Sequence, residues 1–348
     1  MKTGVKICLA AAAVSAVLLL AVACVFGLRW YADNRKPGFT RDFVLYVYPE
    51  TSASDVLDTL RREGVAVDLK SLERAFEKED VKHSIKPGRY VLEPSSPAIY
   101  AARMLTRGWQ TPQNLTLSGT IRSKDKIASQ ISRQMMVTYD EVRDALDNPD
   151  FLADYGTDTV SLFGFFLPDT YQIYWTASLE EIFDRFRKEY DAFWTQERLD
   201  KARALGLSRE QVSVLASIVA GETRVKEEYS KIAGVYLNRY YKGMKLQADP
   251  TVCYCYSYTL DRVLKKHLEI DSPYNTYRYA GLPPGPINVP YKDHIDAVLN
   301  PDRHGYIFFC ASPAFDGTHR FAVTYEEHMR NAREFQRALD ARVRKSAR

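Results

Sequence analysis

Apolar positions along the chain fall into three regimes. The first is a run from Ile7 to Leu28, 22 residues without a charge. That length spans the hydrocarbon core of a bilayer, whereas a cleaved leader carries a shorter apolar run. Ala21-Val22-Ala23-Cys24 lacks the Leu that a lipoprotein cleavage box would place first. The pattern predicts an uncleaved anchor, with residues 1–31 as a cytoplasmic tip and transmembrane segment. Lys2 and Lys6 orient the tip inward by the positive-inside rule, although Arg29, Arg35, Lys36 and Arg41 flank the other end. Trp30 and Tyr31 suit the interfacial aromatic belt. Residues 32–41 read as a linker.

The second regime alternates short strands with short capped helices. Phe43 to Tyr48, Arg89 to Leu92 and Leu115 to Leu117 have strand composition. Ser52 with Asp55 opens a helix carrying Val56 and Leu60, stopped at Gly64. Another runs from about Leu69 to Phe76, and a third through Ala101, Met104 and Leu105 to a stop at Gly108. A small mixed α/β domain is predicted over 42–118. Residues 119–204 predict a helical connecting region, with apolar faces at Ile127, Ala128, Ile131 and Met135 and again at Ile182, Phe183, Phe186 and Tyr190. Between them, Gly164 to Tyr171 reads as a buried strand turning sharply at Pro168-Asp169.

The third regime, 205–348, combines helical periodicity with misplaced polarity. Ser208, three residues before Gln211, predicts a capping box. Val212, Leu215, Ala216 and Val219 then form one face, and Glu222 continues it. A carboxyl group on an apolar stripe is costly to bury ionised, so its pKa should rise, which is what a general acid needs. A second helix has Tyr229, Ile232, Ala233, Tyr236 and Tyr240 on its apolar face and Gly243 as its stop. Gln247, Asp249 and Thr251 follow in a Pro-bounded segment expected to be extended, a candidate groove wall. Cys253 and Cys255, two apart, are read as strand residues on one face. A helical stretch is predicted from Leu260 to Leu268. In Gly281 to Pro286, five of six residues are Pro or Gly, which predicts a rigid ordered loop. Strands at Tyr306 to Cys310 and from His319, then a helix from Glu326 to Leu339, close the chain.

Composition narrows the chemistry. A net charge of +4 with a short basic C-terminus (Arg342, Arg344, Lys345, Arg348) gives no polyanion-binding stripe, so no nucleic acid is expected as a partner. Five cysteines, two of them in the anchor, are too scattered for a disulfide framework, and Cys253-Tyr-Cys255 with six scattered His forms no metal pattern. With 23 Tyr and 16 Phe there are aromatics enough for cores and for a sugar-binding groove. A single apolar run excludes a multi-span transporter.

Several motifs share one order with a known family. Ala216-Ser217-Ile218-Val219 is followed by Glu222-Thr223, then by Ile232-Ala233-Gly234-Val235-Tyr236-Leu237-Asn238-Arg239. Next come Gly243-Met244, Leu246-Gln247-Ala248-Asp249-Pro250-Thr251-Val252, Tyr274-Asn275-Thr276-Tyr277 and Gly281 to Ile287, with His319, Phe321 and His328 near the end. Residues from about 43 to 337 thus resemble the YceG-like family, the membrane-anchored endolytic murein transglycosylases of the MltG type. The run Gly164 to Tyr171 resembles the family's Pro-Asp-Thr-Tyr signature, with Phe166 and Leu167 in swapped order and Phe163 where Glu is usual. Ala220 stands where many members carry a further Glu.

The resemblance implies an α+β fold: one transmembrane helix, a LysM-like subdomain at 42–118 and a mixed helical and β catalytic domain at 205–348. It implies no cofactor. It implies peptidoglycan glycan strands as substrate, the cell inner membrane as location with the catalytic region periplasmic, and contact with peptidoglycan synthases and the division machinery. Glu222 matches the catalytic acid. It would protonate the oxygen between MurNAc and GlcNAc, then take the proton of the MurNAc C6 hydroxyl as that attacks the anomeric carbon, leaving a 1,6-anhydroMurNAc end.

Around Glu222 the supporting candidates are Asn238, Gln247, Asp249 and Thr251 as polar groove contacts, and Tyr254, Tyr274 and Asn275 as groups that stack on or hydrogen-bond sugars. His319 is a further substrate contact. Glu228 lies six residues from Glu222, about 240° around a helix of ~3.6 residues per turn. The two converge only if the helix breaks between them. Glu228 either binds a donor or matches the dipole of the next helix's first turn. Rival readings are an inactive peptidoglycan-binding scaffold, a hydrolase with a second carboxylate across the cleft, and a Cys–His peptidase built on Cys253 or Cys310 with His319.

Overall fold

The computed structural model describes residues 2–346. Met1 of the expected cytoplasmic tip and Arg348 of the basic C-terminus lie outside the described residues. The architecture is α+β, with one long apolar helix at the N-terminus and mixed helical and β structure after it. The chain divides into two compact units. The first comprises Met1–Asn114 with Gln172–Ala177, and the second comprises Leu115–Tyr171 with Ser178–Arg348. Of residues 119–204, read as a connecting region, all but 172–177 fall in the same unit as 205–348.

In the first unit, the anchor helix spans Lys2–Asn34. Its segment Ile7–Asn34 is long and apolar enough to cross a membrane. The helix runs into the expected linker. Asp33, in its last turn, accepts from Ser71 Oγ at 2.6 Å and from Arg74 Nε at 3.0 Å. Phe39 is buried and bridges Ala66. What reads as a linker is therefore partly helix and partly core, because one buried aromatic outweighs a polar local composition.

Two strands, Phe43–Val47 and Gly88–Leu92, pair antiparallel with Leu45 opposite Tyr90. Helices Ala53–Arg62 and Leu69–Lys78 lie between them in sequence, and Ala98–Arg107 follows. Ser52 and Asp55 open the first of these helices as predicted and form a capping box there. Leu45, Val56, Leu60, Leu72, Tyr90 and Leu105 belong to one buried core. The returning run Gln172–Ala177 adds Trp175, edge-on to Tyr46 at 4.9 Å and Tyr48 at 4.8 Å.

The second unit is built on the helix Arg209–Glu222, whose Ser208–Gln211 capping box is formed and whose residues Val212–Val219 are all buried. Gly164 lies against it, since a Cβ there would come within 3.0 Å of Ser213 Cβ. The segment Gly164 to Tyr171 is not the strand expected. Leu162–Phe165 is a single helical turn and the strand is Thr170–Ile173. The large apolar residues fill an aromatic cluster instead: Phe166 meets Phe183 at 5.9 Å and Phe186 at 5.4 Å. Three-dimensional packing of rings, not period-two burial, fixes that conformation.

Two further expectations are corrected. Cys253 and Cys255 are helical, in Asp249–Cys255. Pro250 is tolerated there because it occupies the first turn, where its missing N–H costs no bond. The stretch Leu260 to Leu268 holds only a 3-10 turn, Lys265–Glu269. Toward the C-terminus, Phe308–Ala311 and His319–Ala322 form an antiparallel hairpin, Phe309 opposite Phe321. The helix Tyr325–Ser346 packs on it and is longer than predicted.

Candidate active site

Glu222 is the last residue of its helix, because Thr223 leaves the helical region with φ −142°. The chain then makes a 3-10 turn, Lys226–Glu228, and re-enters a helix at Tyr229–Tyr241. This break puts the Glu222 carboxyl beside the second helix. Gly221 makes the approach possible: a Cβ there would lie 2.6 Å from Pro250 Cβ. The close contact draws the helix Asp249–Cys255 against the acid.

The carboxyl is enclosed by protein on most sides and part-exposed on the remainder. Burial pushes its pKa up to about 7; Tyr236, whose hydroxyl donates to Oε1, and the Arg239 charge act against that, while the Asp249 charge adds to it. The helix C-terminus, negative end of the backbone dipole, works in the same direction as burial. Tyr236 is itself fully buried, and its phenol is held well above its ordinary pKa by burial and by the Glu222 charge. Sequence periodicity placed Tyr236 only on an apolar face; its hydroxyl is the part that reaches Glu222, and a Tyr in a buried stripe one helix beyond a stranded Glu was the available signal.

Arg239 is the nearby cation. It is 8% exposed, yet its guanidinium meets backbone carbonyls: Nε donates to Ile307 at 2.5 Å and Nη1 to Leu246 at 2.6 Å. Its charge is thus left to act through space on Glu222.

Two clefts meet at Glu222. One, of about 500 Å³, runs between Gly119–Arg122 and the loop at Asn288 and Tyr291. The other, of about 350 Å³, runs past Asp249, Cys253 and Tyr258. Gly221, Glu222 and Arg122 line both. The residues that follow the Pro- and Gly-rich loop, Asn288 and Val289, form one wall of the first cleft. Ser217 Oγ accepts from Ile287 N at 3.0 Å, and Asn288 Nδ2 donates to Ser217 O at 2.7 Å. The loop is pinned to the acid helix itself.

The other candidates distribute as follows. Asp249 lines the second cleft with Glu222 and accepts from Tyr277 Oη at 2.6 Å. Tyr254 lines a neighbouring cleft and its ring lies 4.6 Å from that of Tyr274. Gln247 has a left-handed backbone, φ 53°, and donates N–H to Thr276 O. Thr251 is buried, its hydroxyl within 2.9 Å of Thr276 Oγ1. Asn275 is 0% exposed, and its amide donates to Leu268 O at 2.9 Å and Ile270 O at 2.8 Å. These last two hold the wall from behind; neither faces the groove. Asn238 donates to His304 O at 2.8 Å and Tyr306 O at 2.9 Å, fixing the approach to the hairpin. Glu228 is buried and does find a donor: its two oxygens take His319 N and His319 Nδ1, each at 2.8 Å. It does not converge on Glu222, and His319 is a hairpin anchor in this arrangement. Among the described residues no group of three or more His, Cys, Asp or Glu is placed to hold a metal ion.

The model of the YceG-like family matches residues 45–334. An endolytic murein transglycosylase of Bacillus subtilis is 37% identical over 166 residues, 47% of this chain and 45% of that protein. One of Streptococcus pneumoniae is 24% identical over 355 aligned positions, 91% of this chain and 63% of that protein. The chain therefore spans about half to two-thirds of the length of these relatives. The crystal structure of a yceG-like protein of Listeria monocytogenes superposes with a TM-score of 0.55 at 27% identity, covering 83% of this chain and 98% of that one.

Proposed function

The chain belongs to the YceG-like family, and from that membership we propose that it cuts murein glycan strands internally at the MurNAc–GlcNAc bond, leaving 1,6-anhydroMurNAc ends. The observation that carries this reading is a carboxyl group with a pKa of about 7 at the junction of two open clefts. An acid with groove on both sides suits a polymer that continues past the cut in both directions.

The proposed steps use the groups around Glu222. Tyr236 occupies Oε1 of Glu222, so the proton is held on Oε2. Oε2 gives it to the glycosidic oxygen as the bond to the anomeric carbon breaks and oxocarbenium character develops. The carboxylate so formed stays hydrogen-bonded to Tyr236 and within the field of Arg239. It then takes the proton of the C6 hydroxyl as that oxygen closes on the anomeric carbon. One carboxyl group completes the cycle because its pKa lies near neutrality, which balances giving and taking. Asn238, Gln247, Thr251, Asn275, Glu228 and His319 support the groove; Asp249, Tyr254 and Tyr274 contact the strand. The anchor helix holds the protein in the inner membrane with its N-terminus cytoplasmic and the catalytic unit periplasmic. The two strands around paired helices at 42–118 serve as a LysM-like subdomain, and contact with peptidoglycan synthases and the division machinery fits that placement.

One observation favours a second reading. Asp249 shares a cleft with Glu222, and a second carboxylate can hold a water for hydrolysis. Mass spectrometry of fragments released by the full chain in detergent, beside Glu222→Gln, separates the two. Internal anhydro-ended fragments lost in the variant support the transglycosylase. Reducing ends assign the hydrolase. Strand binding without any cleavage by the unaltered protein leaves only a scaffold.

A further inference from the structure

One cationic side chain lines every cleft around the acid. Arg122 borders both clefts that meet at Glu222, and also a third of about 630 Å³ that continues past Tyr258 and Tyr254. Its guanidinium carbon lies 4.4 Å from the centre of the Tyr258 ring. That ring is fixed: its hydroxyl donates to Ile287 O at 2.5 Å, and its backbone has φ 58°. A guanidinium resting on an aromatic face keeps its N–H edge free for a planar acceptor.

The acids of the same clefts are largely taken. Asp293 pairs with Lys226 at 2.6 Å, Asp249 accepts from Tyr277, and Asp125 accepts from Tyr139 and from Arg143, each at 2.9 Å. Asp261 is exposed to solvent. Among the described residues no carboxylate pairs with Arg122. Its neighbour Lys124, by contrast, pairs with Asp147 at 2.6 Å. A glycan chain presents hydroxyls and acetamides, which do not match a free guanidinium. Its one source of carboxylate is the lactyl branch of MurNAc, either as the bare acid or through the stem peptide attached there.

We propose that Arg122 binds a carboxylate borne on the lactyl branch of MurNAc, so that the groove reads the branch as well as the sugar backbone. This rests on the murein reading above. Such a pair is charge-assisted and bidentate, the strong class of hydrogen bond.

The test uses the full chain in detergent with Glu222→Gln, which holds strands uncut. Binding is measured for stem-bearing strands, for strands with amidated stem carboxylates, and for strands stripped of stems that keep the bare lactyl carboxylate. Adding Arg122→Gln should weaken binding of stem-bearing strands about tenfold. It should leave the binding of amidated strands unchanged, and Arg122→Lys should restore part of the loss. In stem-bearing strands the lactyl carboxyl is tied up as an amide, so loss by those strands alone assigns the stem carboxylate, loss by stripped strands alone assigns the bare lactyl acid, and equal loss by both assigns one site that takes either carboxylate. With Glu222 intact, Arg122→Gln should raise KM more than it lowers kcat. Equal binding of all three strands by both proteins overturns the proposal and leaves cleavage through Glu222 standing. No binding of any strand by the Glu222→Gln chain overturns the murein reading itself.

Discussion

Glu222 and Glu228 are six residues apart, both withdrawn from solvent, and they hold opposite offices. Glu228 has a donor for each oxygen, both from His319. Its carboxylate is matched, and it ties the turn before one helix to a distant hairpin. Glu222 has one hydroxyl donor and otherwise dense protein, with open groove beyond. Burial with matched donors makes a staple; burial with too few donors makes an acid. The helix break at Thr223 is what separates the two fates, since a continuous helix would send both side chains elsewhere.

The contrast can be broken from either side. The largest expected effect is on catalysis: Glu222→Gln should lower cleavage by about 10²–10⁴-fold, the range of general acid–base contributions, measured by release of soluble fragments. Glu228→Gln should act on stability instead. It leaves one of the two His319 donors without an acceptor, a loss of about 1–3 kcal/mol. Calorimetry should show a fall in Tm of several degrees, with the surviving folded fraction still making the same product ends. A fall in activity with Tm unchanged would remove the staple reading.

Stability should also separate the two residues by pH. The Glu222 carboxyl is raised from its ordinary 4.5 to about 7. Its proton therefore favours the folded state below pH 4.5, and that advantage is lost as pH rises toward 7. Glu222→Gln should raise Tm by a few degrees at pH 8 and by much less at pH 5.

Two smaller shifts sharpen the account. Tyr236→Phe removes a donor that favours the ionised acid, so the alkaline limb of the pH–rate profile should move to higher pH. Asp249→Asn removes a charge that opposes ionisation, so the same limb should move to lower pH. No movement in either variant would show that burial alone sets the acid.

How much of this was legible in the sequence depended on distance along the chain. The acid helix, its capping box and the stranded carboxyl follow from a period of 3.6 and from residues within a few positions of one another. The helix Asp249–Cys255 did not. Pro250 and the Cys-Tyr-Cys run point locally to extended backbone, and what overrides them is the seat that Gly221 leaves for Pro250 and the Thr251–Thr276 contact, 25 residues apart. Asn275 reads as a sugar contact because polar residues in loops usually face out, yet it is buried because two carbonyls need its amide. The pairing of Glu228 with His319 spans 91 residues and leaves no local periodicity to read. Arg122 carried no pattern at all; only the convergence of three clefts singles it out.

The position of the acid at the very end of its helix has a consequence for how such a chain can vary. A helix turns about 100° and advances about 1.5 Å with each residue. Ser208 fixes one end of this helix, and Glu222 reports the accumulated angle at the other. Substitutions along Arg209–Glu222 change packing, but a single inserted or deleted residue swings the carboxyl by more than a quarter of a turn and carries it off Tyr236. Over these fourteen positions, the site depends on length more than on identity.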